Sequence, residues 1–346
     1  ETHDVVTLVL ERPSRAPFTF APGQFFTLLV DVDGETVPRN YSASNAPGSS
    51  ELHLSVKHKP GGRVSGRLCA TRAGQRLRVL GPFGTFAPDA PRAGSRRLVF
   101  FAGGIGITPL LSIARSVLDA EPETRIVLVY GNRRAEDVAF VTALDALVER
   151  HSERFEVHHA LEQPPEGFRG VVGRLDRNNV TRILATLEID DATELFVCGP
   201  EGMQGEVLAA VSAFGLRPDR VKRERFAIGS ARCALASPAT PSGDRERDAR
   251  RLSIVAPGGL VHTTARPGAT LLEAGLAAAV PMPFSCGVGG CGACRVRLVD
   301  GEVDLEEPHC LTDDERRAGY VLTCVGRPRT ACTIEIERAE REGGGP

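Results

Sequence analysis

The stretch Pro283-Phe284-Ser285-Cys286-Gly287-Val288-Gly289-Gly290-Cys291-Gly292-Ala293-Cys294 decides the fold of the last part of this chain. Its cysteines have the spacing C-x4-C-x2-C, and Cys324 follows after a long gap. Thiolates at this spacing hold a plant-type [2Fe–2S] cluster. The intervening glycines supply the tight turns and free N–H groups that a loop around an iron–sulfur core requires. We therefore predict four metal ligands: Cys286, Cys291, Cys294 and Cys324.

The alternatives to a cluster are a zinc site and buried thiols. Zinc sites favour paired C-x2-4-C ligands, and this sequence contains a single C-x2-C pair. The total of nine cysteines is odd and fits a reducing cytoplasm with a metal site better than a disulfide framework. We expect the remaining five to be small buried hydrophobic residues: Cys69, Cys198, Cys233, Cys310 and Cys332.

The cysteine loop resembles the cluster loop of the plant-type ferredoxin domain. Tyr320-Val321-Leu322-Thr323-Cys324 is similar to the segment that carries the fourth ligand in that family. The resemblance implies a β-grasp fold and a one-electron carrier. The acidic stretch 300–307 is a candidate docking surface for an electron acceptor, although such runs are more often solvated faces.

Composition limits the class of protein. The 346 residues are too many for one ordinary core, so two or three domains are expected. Hydrophobic residues make up 42% and charged residues 25%, which indicates a globular chain. The net charge of −2 does not favour nucleic-acid binding. The sequence contains no run of about 18 apolar residues, so no membrane span is expected. No signal peptide is visible. We expect a cytoplasmic monomer.

Four segments follow one another along the chain. Short apolar runs broken by Gly and Pro in residues 1–92 predict an antiparallel β-barrel. Alternating strand-like and helix-like segments in 96–228 predict a doubly wound parallel α/β domain. Residues 229–250, rich in Ser, Pro and Ala, indicate a linker, and 251–338 forms the cysteine-bearing domain. The clearest predicted strands are 4–10, 25–30, 52–56, 76–80, 98–102, 126–130, 155–158 and 195–198, and the clearest predicted helices are 109–118 and 139–149.

Two glycine-containing loops follow predicted strands of the α/β segment. In 103–109, Gly-Gly-Ile-Gly-Ile-Thr-Pro, Thr108 is the predicted N-cap and Pro109 the first helical residue. Such a turn lets a pyrophosphate approach the N–H groups at a helix start, but a purely structural strand–turn–helix would look the same. Cys-Gly-Pro at 198–200 repeats the arrangement at the same sheet edge. The predicted nucleotide-binding residues are Gly103, Gly104, Gly106, Thr108, Pro109, Cys198, Gly199 and Pro200.

A fixed order of short motifs precedes and includes these loops. Arg-Asn-Tyr-Ser at 39–42 is followed by Gly-Arg-Val-Ser at 62–65, by Gly-Pro-Phe-Gly-Thr-Phe at 81–86, and then by the two loops. Over roughly residues 5–228 this order resembles the ferredoxin–NADP reductase superfamily. With the C-terminal domain, the whole is similar to reductase components of bacterial multicomponent oxygenases, of the phenylacetyl-CoA epoxidase and ketosteroid hydroxylase type.

The resemblance implies a role for individual residues. Arg39, Asn40, Tyr41 and Ser42 would hold a flavin, with Ser42 near its N5 atom. The loop at 62–65 would offer backbone and hydroxyl groups to the flavin pyrophosphate, through Gly62, Val64 and Ser65.

Four residues are implied to act at the reacting atoms. Thr108 and Cys198 would flank the nicotinamide. Glu224 and Phe226 match the Glu-x-Phe that ends the nucleotide domain in this superfamily, with Phe226 covering the flavin ring. The residues implied to be catalytic are therefore Ser42, Cys198, Glu224 and Phe226.

Small differences in sequence distinguish FAD from FMN and NADH from NADPH. The branch that uses FMN has Gly-Arg-Gly-Gly-Ser in its phosphate loop, whereas Gly-Arg-Val-Ser here is similar to the FAD branch, so FAD is predicted over FMN. Glu162 would repel a 2′-phosphate and suits a ribose diol, which favours NADH. Against this, Arg133 and Arg134 follow the preceding strand and could receive the phosphate of NADPH.

The combination implies an electron-transfer reductase that passes electrons from NAD(P)H through flavin to the [2Fe–2S] cluster. A flavin is required between a two-electron donor and a one-electron carrier. The expected acceptor is an oxygenase, hydroxylase or desaturase component. Two alternatives remain open: a subunit lodged permanently in a larger complex, and a cluster-based redox sensor.

Overall fold

The computed structural model describes residues 1–33, 35–90, 95–190, 192–224, 226, 249–280, 282–284, 287, 289, 292, 294–307, 309 and 311–336. The chain divides into two compact units, one of residues 1–28 with 40–226 and the other of residues 29–39 with 227–346. Among the described residues, no helix combines the length and apolar character needed to cross a bilayer.

The strands of the first 90 residues are β1 (Val5–Glu11), β2 (Phe25–Val32), β3 (Glu35–Ser42), β4 (Glu51–Lys57) and β5 (Arg78–Phe83), with the short helix α1 (Ser65–Cys69) after β4. β1 pairs with β4 in antiparallel register, and the other strands form a sheet in the order β3-β2-β5. In β1 the buried Val5 and Leu8 face the core while Val9 is exposed. The predicted small β domain is thus observed as two sheets.

The last of these strands differs from its prediction. The predicted strand 76–80 stopped before Gly81-Pro82, because that pair is ordinarily a breaker. β5 instead runs through it, with Gly81 at a φ of +131°. A Cβ atom at Gly81 would lie 2.8 Å from the Phe26 ring, so the glycine permits close packing here.

The α/β part contains β6 (Arg97–Gly103), α2 (Ile107–Ala120), β7 (Arg125–Asn132), α3 (Val141–Arg150), β8 (Phe155–Leu161), β9 (Val171–Val172), α4 (Arg177–Leu184), β10 (Thr193–Cys198), α5 (Glu201–Ala213) and β11 (Val221–Glu224). All its strands are parallel, in the order β11-β10-β6-β7-β8-β9. One face carries the core around Leu110 and Leu144, and the other the core around Val180 and Val207. The predicted doubly wound sheet is confirmed, and its strand order reverses between β6 and β10.

The start of α2 corrects one prediction. Thr108 is not the N-cap and Pro109 is not the first helical residue, because a 3-10 turn at Gly104–Gly106 carries the chain into a helix that begins at Ile107. The Thr108 hydroxyl instead donates to the Ile105 carbonyl at 3.1 Å. Pro109 still lies in the first turn, where its missing N–H costs nothing.

The C-terminal part contains β12 (Arg250–Ala256), β13 (Gly259–Ala265), α6 (Leu271–Ala277), β14 (Arg295–Asp300), β15 (Val303–Leu305), α7 (Asp313–Arg317), β16 (Tyr320–Leu322), β17 (Gly326–Pro328) and β18 (Cys332–Glu335). The main sheet has the order β13-β12-β18-β14-β16, with β12 and β18 parallel and the other pairs antiparallel. Helix α6 starts at a capping box of Thr270 and Glu273 and buries Leu271 and Leu272 in the core of this sheet. This mixed sheet, packed against α6, is the expected β-grasp arrangement. The predicted linker lies outside the described residues, except for 249 and 250.

Candidate functional site

The two glycine-containing loops meet at the carboxyl edge of the parallel sheet. β6 leads into Gly104–Gly106 and β10 ends at Cys198, and these are the strands between which the order reverses. A Cβ atom at Gly106 would lie 2.3 Å from the Cys198 carbonyl oxygen, so only glycine fits between the loops. In open α/β sheets ligands bind at such a reversal. The sequence predicted both loops, and the structure brings them into contact.

A cleft of about 900 Å³ opens at this edge. Its walls come from the carboxyl ends of β6, β7 and β8, from the segments after β9 and β10, and from the first half of α5. Residues just before β1 and at the end of β4 complete them. Among the residues that line the cleft are Asp4, Lys57, Gly103, Gly104, Asn132, Arg133, Glu162, Arg174, Pro200 and Met203. A cleft of this size and position suits an extended dinucleotide.

The charges on the cleft wall are largely paired. The Glu162 carboxylate lies 3.0 Å from the Arg174 guanidinium. Lys57 pairs with Asp4 at 3.1 Å. Burial alone would raise the pKa of Asp4, but hydrogen bonds from Thr2 and Lys57 hold it below its ordinary value. The wall therefore offers both signs of charge to a ligand.

The two candidate phosphate-binding arginines differ in their surroundings. Arg134 donates to the Gln163 side chain at 2.8 Å and lies 3.4 Å from Glu136. Arg133 lines the cleft beside Glu162. Of the pair, Arg134 is thus engaged by its neighbours on the surface.

A buried tyrosine holds the glycine loop from behind. Tyr130 is fully buried in β7, and its hydroxyl donates to the Gly104 carbonyl at 3.1 Å. Burial raises the pKa of Tyr130 far above its ordinary value, so this hydroxyl remains a donor at every physiological pH. Gly104 has a φ of +51° with open space where a side chain would stand. No sequence motif includes Tyr130, although its position at the carboxyl end of the predicted strand 126–130 places it at the ligand edge of the sheet.

Strand β3 carries the Arg-Asn-Tyr-Ser motif. The Asn40 Oδ1 atom accepts from the Thr27 hydroxyl at 2.8 Å, and Arg39 and Tyr41 are half-buried. Ser42 is 2% exposed, and its Oγ has no hydrogen-bond partner among the described residues. Buried hydroxyl groups ordinarily have a hydrogen-bond partner. The motif therefore fits a bound flavin that would form a hydrogen bond with the Ser42 hydroxyl.

The predicted pyrophosphate loop is folded by its own serine. The Ser65 hydroxyl accepts from the Lys59 N–H at 3.0 Å, and the Gly62 N–H donates to the Lys59 carbonyl at 2.9 Å. The Val64 side chain is buried, so this residue can offer only its backbone. The loop leads directly into α1.

Helix α2 is tied to the chain that follows the flavin motif. The Ser112 hydroxyl donates to the Asn45 carbonyl at 2.7 Å, and the Arg115 guanidinium donates to the Ser44 carbonyl at 2.8 Å. Burial lowers the pKa of Arg115 from its ordinary value. Since α2 starts at the glycine loop, these bonds link the two halves of the site.

The predicted catalytic residues Cys198 and Glu224 are neighbours in the sheet. They are register partners at the ends of β10 and β11, and both are buried. Burial raises the pKa of the Cys198 thiol well above its ordinary value, and the charge of Glu224 adds to this effect. Cys198 is therefore a neutral thiol. Phe226, two residues beyond β11, is 39% exposed.

The C-terminal unit brings two of the four predicted cluster ligands together. The sulfur atoms of Cys294 and Cys324 lie 3.1 Å apart without a disulfide bond. The Gly289 N–H donates to the Cys324 sulfur at 3.2 Å, as the glycine-rich loop was expected to do. Cys286 and Cys291 lie outside the described residues. The donor set that is described fits an iron–sulfur centre.

The acidic stretch near this site is not an unpaired negative surface. Its carboxylates alternate with arginines from the following strands and helix. The exposed pairs are Glu302 and Asp304 with Arg329, Glu306 with Arg327, and Glu307 with Arg316. The expectation of an acidic docking surface is thus weakened by these neutralising contacts.

Comparison with known proteins agrees with this geometry. Residues 1–87 match the oxidoreductase FAD-binding domain, 100–208 the oxidoreductase NAD-binding domain, and 256–329 the 2Fe-2S iron-sulfur cluster binding domain. The chain is 31% identical over 344 residues to a subunit of the 1,2-phenylacetyl-CoA epoxidase of Escherichia coli (strain K12), covering 96% of this chain and 94% of that protein. It is 33% identical over 337 residues to the 3-ketosteroid-9-alpha-monooxygenase ferredoxin reductase component of Rhodococcus rhodochrous, covering 95% and 92%.

The fold has a solved counterpart along its whole length. A phthalate dioxygenase reductase, described as a modular structure for electron transfer from pyridine nucleotides to [2Fe–2S], matches with a TM-score of 0.59 and 24% identity over 97% of this chain and 94% of that chain. Fold and site together define a flavin- and iron–sulfur-containing NAD(P)H oxidoreductase. The chain belongs to the family of ferredoxin–NAD(P)H-type reductases with a C-terminal [2Fe–2S] domain, which includes the two relatives above.

Proposed function

We propose that the chain is the NADH-dependent reductase component of an oxygenase system. The observation that carries the proposal is the presence, in one chain, of a dinucleotide cleft, a flavin motif with a buried unpaired Ser42 hydroxyl, and a pair of cluster cysteines. The relatives named above are components of an epoxidase and a monooxygenase. We extend the same class of acceptor to this chain.

The residues present divide the work between binding and orientation. When bound, a flavin supplies the conversion of a two-electron hydride donor into single electrons for a cluster. Arg39, Tyr41 and Ser42 would hold the flavin, the glycine loops would hold the dinucleotide, and the neutral thiol of Cys198 would lie beside the nicotinamide. No side chain is needed as a general acid or base.

The electron path is tested with two acceptors. Ferricyanide takes electrons from flavin, whereas cytochrome c reduction reports the cluster. We expect the holoprotein to reduce both with NADH, and Cys324→Ser to lose cytochrome c reduction, acid-labile sulfide and the cluster absorbance while it retains ferricyanide reduction. Cys332→Ser is the matched control, since Cys332 is a buried cysteine outside the motif. Equal cytochrome c reduction in wild type and Cys324→Ser would refute the proposal.

The preference for NADH is assigned to Glu162. Its carboxylate stands on the cleft wall, where it can accept from a ribose diol. Its pair with Arg174, whose side chain is 78% exposed, contributes little in water and leaves the carboxylate available to the ribose. We expect Glu162→Gln to raise kcat/KM for NADPH about tenfold relative to NADH, and Glu156→Gln, an exposed change elsewhere on β8, to leave the ratio unchanged. An unaltered ratio in Glu162→Gln would remove this residue from coenzyme selection.

The acceptor is tested by reconstitution. The holoprotein is combined with purified terminal oxygenases of the epoxidase and Rieske classes, and NADH consumption is compared with product formation. We expect tight coupling with one class. Uncoupled NADH oxidation with every oxygenase would contradict an oxygenase as the physiological acceptor.

A further inference from the structure

A buried glutamine ties the Cys198–Pro200 loop, whose Pro200 lines the cleft, to the end of β11. Gln204, in the first turn of α5, is 1% exposed. Its Nε2 atom donates to the Gly199 carbonyl at 2.9 Å and to the Glu224 carbonyl at 2.9 Å. Gly199 belongs to the Cys198–Pro200 loop, and Glu224 ends β11 two residues before Phe226.

The chemistry of the two acceptors dictates the residue type. A side-chain amide offers two N–H donors from one nitrogen. Here one meets the buried carbonyl of Glu224 and the other the half-buried carbonyl of Gly199. A methionine or leucine of similar size would leave both carbonyls without this donor, and an ionised glutamate would face them with another negative oxygen. Buried carbonyls require donors, so the amide has a specific task at this point.

This contact lies at the point where the pairing of β10 and β11 ends. The register of β10 and β11 ends with the pair Cys198 and Glu224. After that pair, β10 continues into the Gly199–Pro200 turn, and Phe226 follows two residues after the end of β11. The Gln204 amide is thus a link between the two strands just where their ladder stops.

We propose that Gln204 is a positioning residue for hydride transfer, which sets the spacing between the Cys198–Pro200 loop and the Glu224–Phe226 segment. The inference rests on the proposed function, since it assumes that nicotinamide lies at this end of the cleft. In this proposal Gln204 contacts neither NADH nor the flavin, and acts through the backbone carbonyls of Gly199 and Glu224. Its loss should therefore impair the geometry of the reacting atoms more than the affinity for the adenosine half of NADH.

The test separates kcat from KM in the holoprotein with ferricyanide as acceptor. In Gln204→Met we expect kcat to fall about tenfold or more, as for small misplacements of reacting groups, while KM for NADH stays within about twofold. We also expect a weaker long-wavelength charge-transfer absorbance when NAD⁺ is added to the reduced protein. Gln204→Asn keeps the amide on a shorter chain that reaches one carbonyl at most. It should show an intermediate loss, and it serves as the second variant if Gln204→Met does not fold.

Val207→Ala is the matched control, because Val207 is fully buried in the same helix but makes no side-chain hydrogen bond. It should lower the melting temperature and leave kcat and the charge-transfer band unchanged. The inference is overturned if the Gln204 variants keep wild-type kcat and absorbance, or if they lose no more than Val207→Ala. If the wild-type holoprotein does not oxidise NADH, the proposed function falls as well, and the two failures are thereby distinguished.

Discussion

Replacement of the buried Arg96 should destabilise the first unit more than replacement of an arginine whose partner is exposed. The Arg96 side chain is 4% exposed and pairs with Glu121 at 2.6 Å and with Glu194 at 2.7 Å. It also donates to the Asp89 carbonyl at 2.9 Å, in the segment that leads from β5 toward β6. The arginine thus joins this connecting segment to Glu121 at the end of α2 and to Glu194 at the start of β10, all at the amino edge of the parallel sheet.

The magnitude follows from the carboxylates left behind. Removing one partner of a buried pair typically costs about 3–5 kcal/mol, because a buried charge is left uncompensated. Here Glu194 keeps Lys222 at 2.8 Å and Glu121 keeps the Thr124 hydroxyl at 2.6 Å. We therefore expect Arg96→Met to cost about 3 kcal/mol, the lower end of that range. For a unit of about 200 residues this is a fall of about 6–12 °C in melting temperature.

The loss should depend on pH in a defined direction. Burial alone would raise the pKa of Glu121, but hydrogen bonds from Arg96 and Thr124 and the Arg96 charge hold it below its ordinary 4.5. A carboxyl whose folded-state pKa is lowered contributes stability that is complete above its unfolded pKa and disappears as pH falls through the folded value. The deficit of Arg96→Met should accordingly be full at pH 7 and shrink as pH falls below about 4.5.

Urea unfolding of the holoprotein, followed by flavin fluorescence and far-ultraviolet circular dichroism, measures the effect. Arg97→Met is the control. The Arg97 side chain is 18% exposed and donates to the Glu188 carbonyl as well as to its carboxylate, but that carboxylate is 90% exposed and stays hydrated when the arginine is removed. We therefore expect a loss of only about 1 kcal/mol. Equal losses for the two variants at pH 7, or a deficit for Arg96→Met that grows on acidification, would refute the reasoning.

Three further variants probe the site. Ser42→Ala should leave the melting temperature of the apoprotein within about 2 °C, because its Oγ has no partner among the described residues, but slow flavin reduction by NADH about tenfold in stopped-flow measurements. Tyr130→Phe removes the donor to Gly104 and should weaken NAD⁺ binding about fivefold by calorimetry, the equivalent of one hydrogen bond of about 1 kcal/mol; unchanged binding would contradict a role in holding the loop. Arg115→Met frees the Ser44 carbonyl and should lower kcat without loss of bound flavin, which absorbance at the flavin maximum would check.

The sequence was sufficient for the type and order of most elements because their patterns are local. Continuous apolar runs such as that in β6 predict a strand buried on both faces, and the glycines after it predict a turn at the ligand edge. The cysteine spacing likewise predicts the cluster loop, and Cys294 and Cys324 lie together although 30 residues separate them. The strand, turn and cysteine-loop signals lie within a few neighbouring residues each, whereas the fourth ligand was identified by the resemblance of the 320–324 segment to the ferredoxin family.

The errors have equally local causes. Thr108 was predicted as an N-cap because the residue type is favourable, but the 3-10 turn at Gly104–Gly106 advances the helix start by tertiary packing against Cys198. The strand at Gly81-Pro82 was missed because the close approach of Phe26, which makes glycine necessary, is a long-range contact. Neither contact has a signature in the adjacent sequence.

The residues that complete the site are the ones that motifs leave out. The motifs supply mostly glycines, which contribute backbone, and a backbone loop is placed by whatever donors reach its carbonyls. Tyr130 donates to the carbonyl of Gly104, Gln204 to that of Gly199, and Arg115 to that of Ser44, two residues after the flavin motif. Since carbonyls that are partly or fully shielded from water need donors, we expect a change at any of these three positions to alter the site while every motif stays intact. Relatives with identical glycine loops can therefore differ in the geometry of hydride transfer, and that difference is to be sought in the buried donors behind the loops.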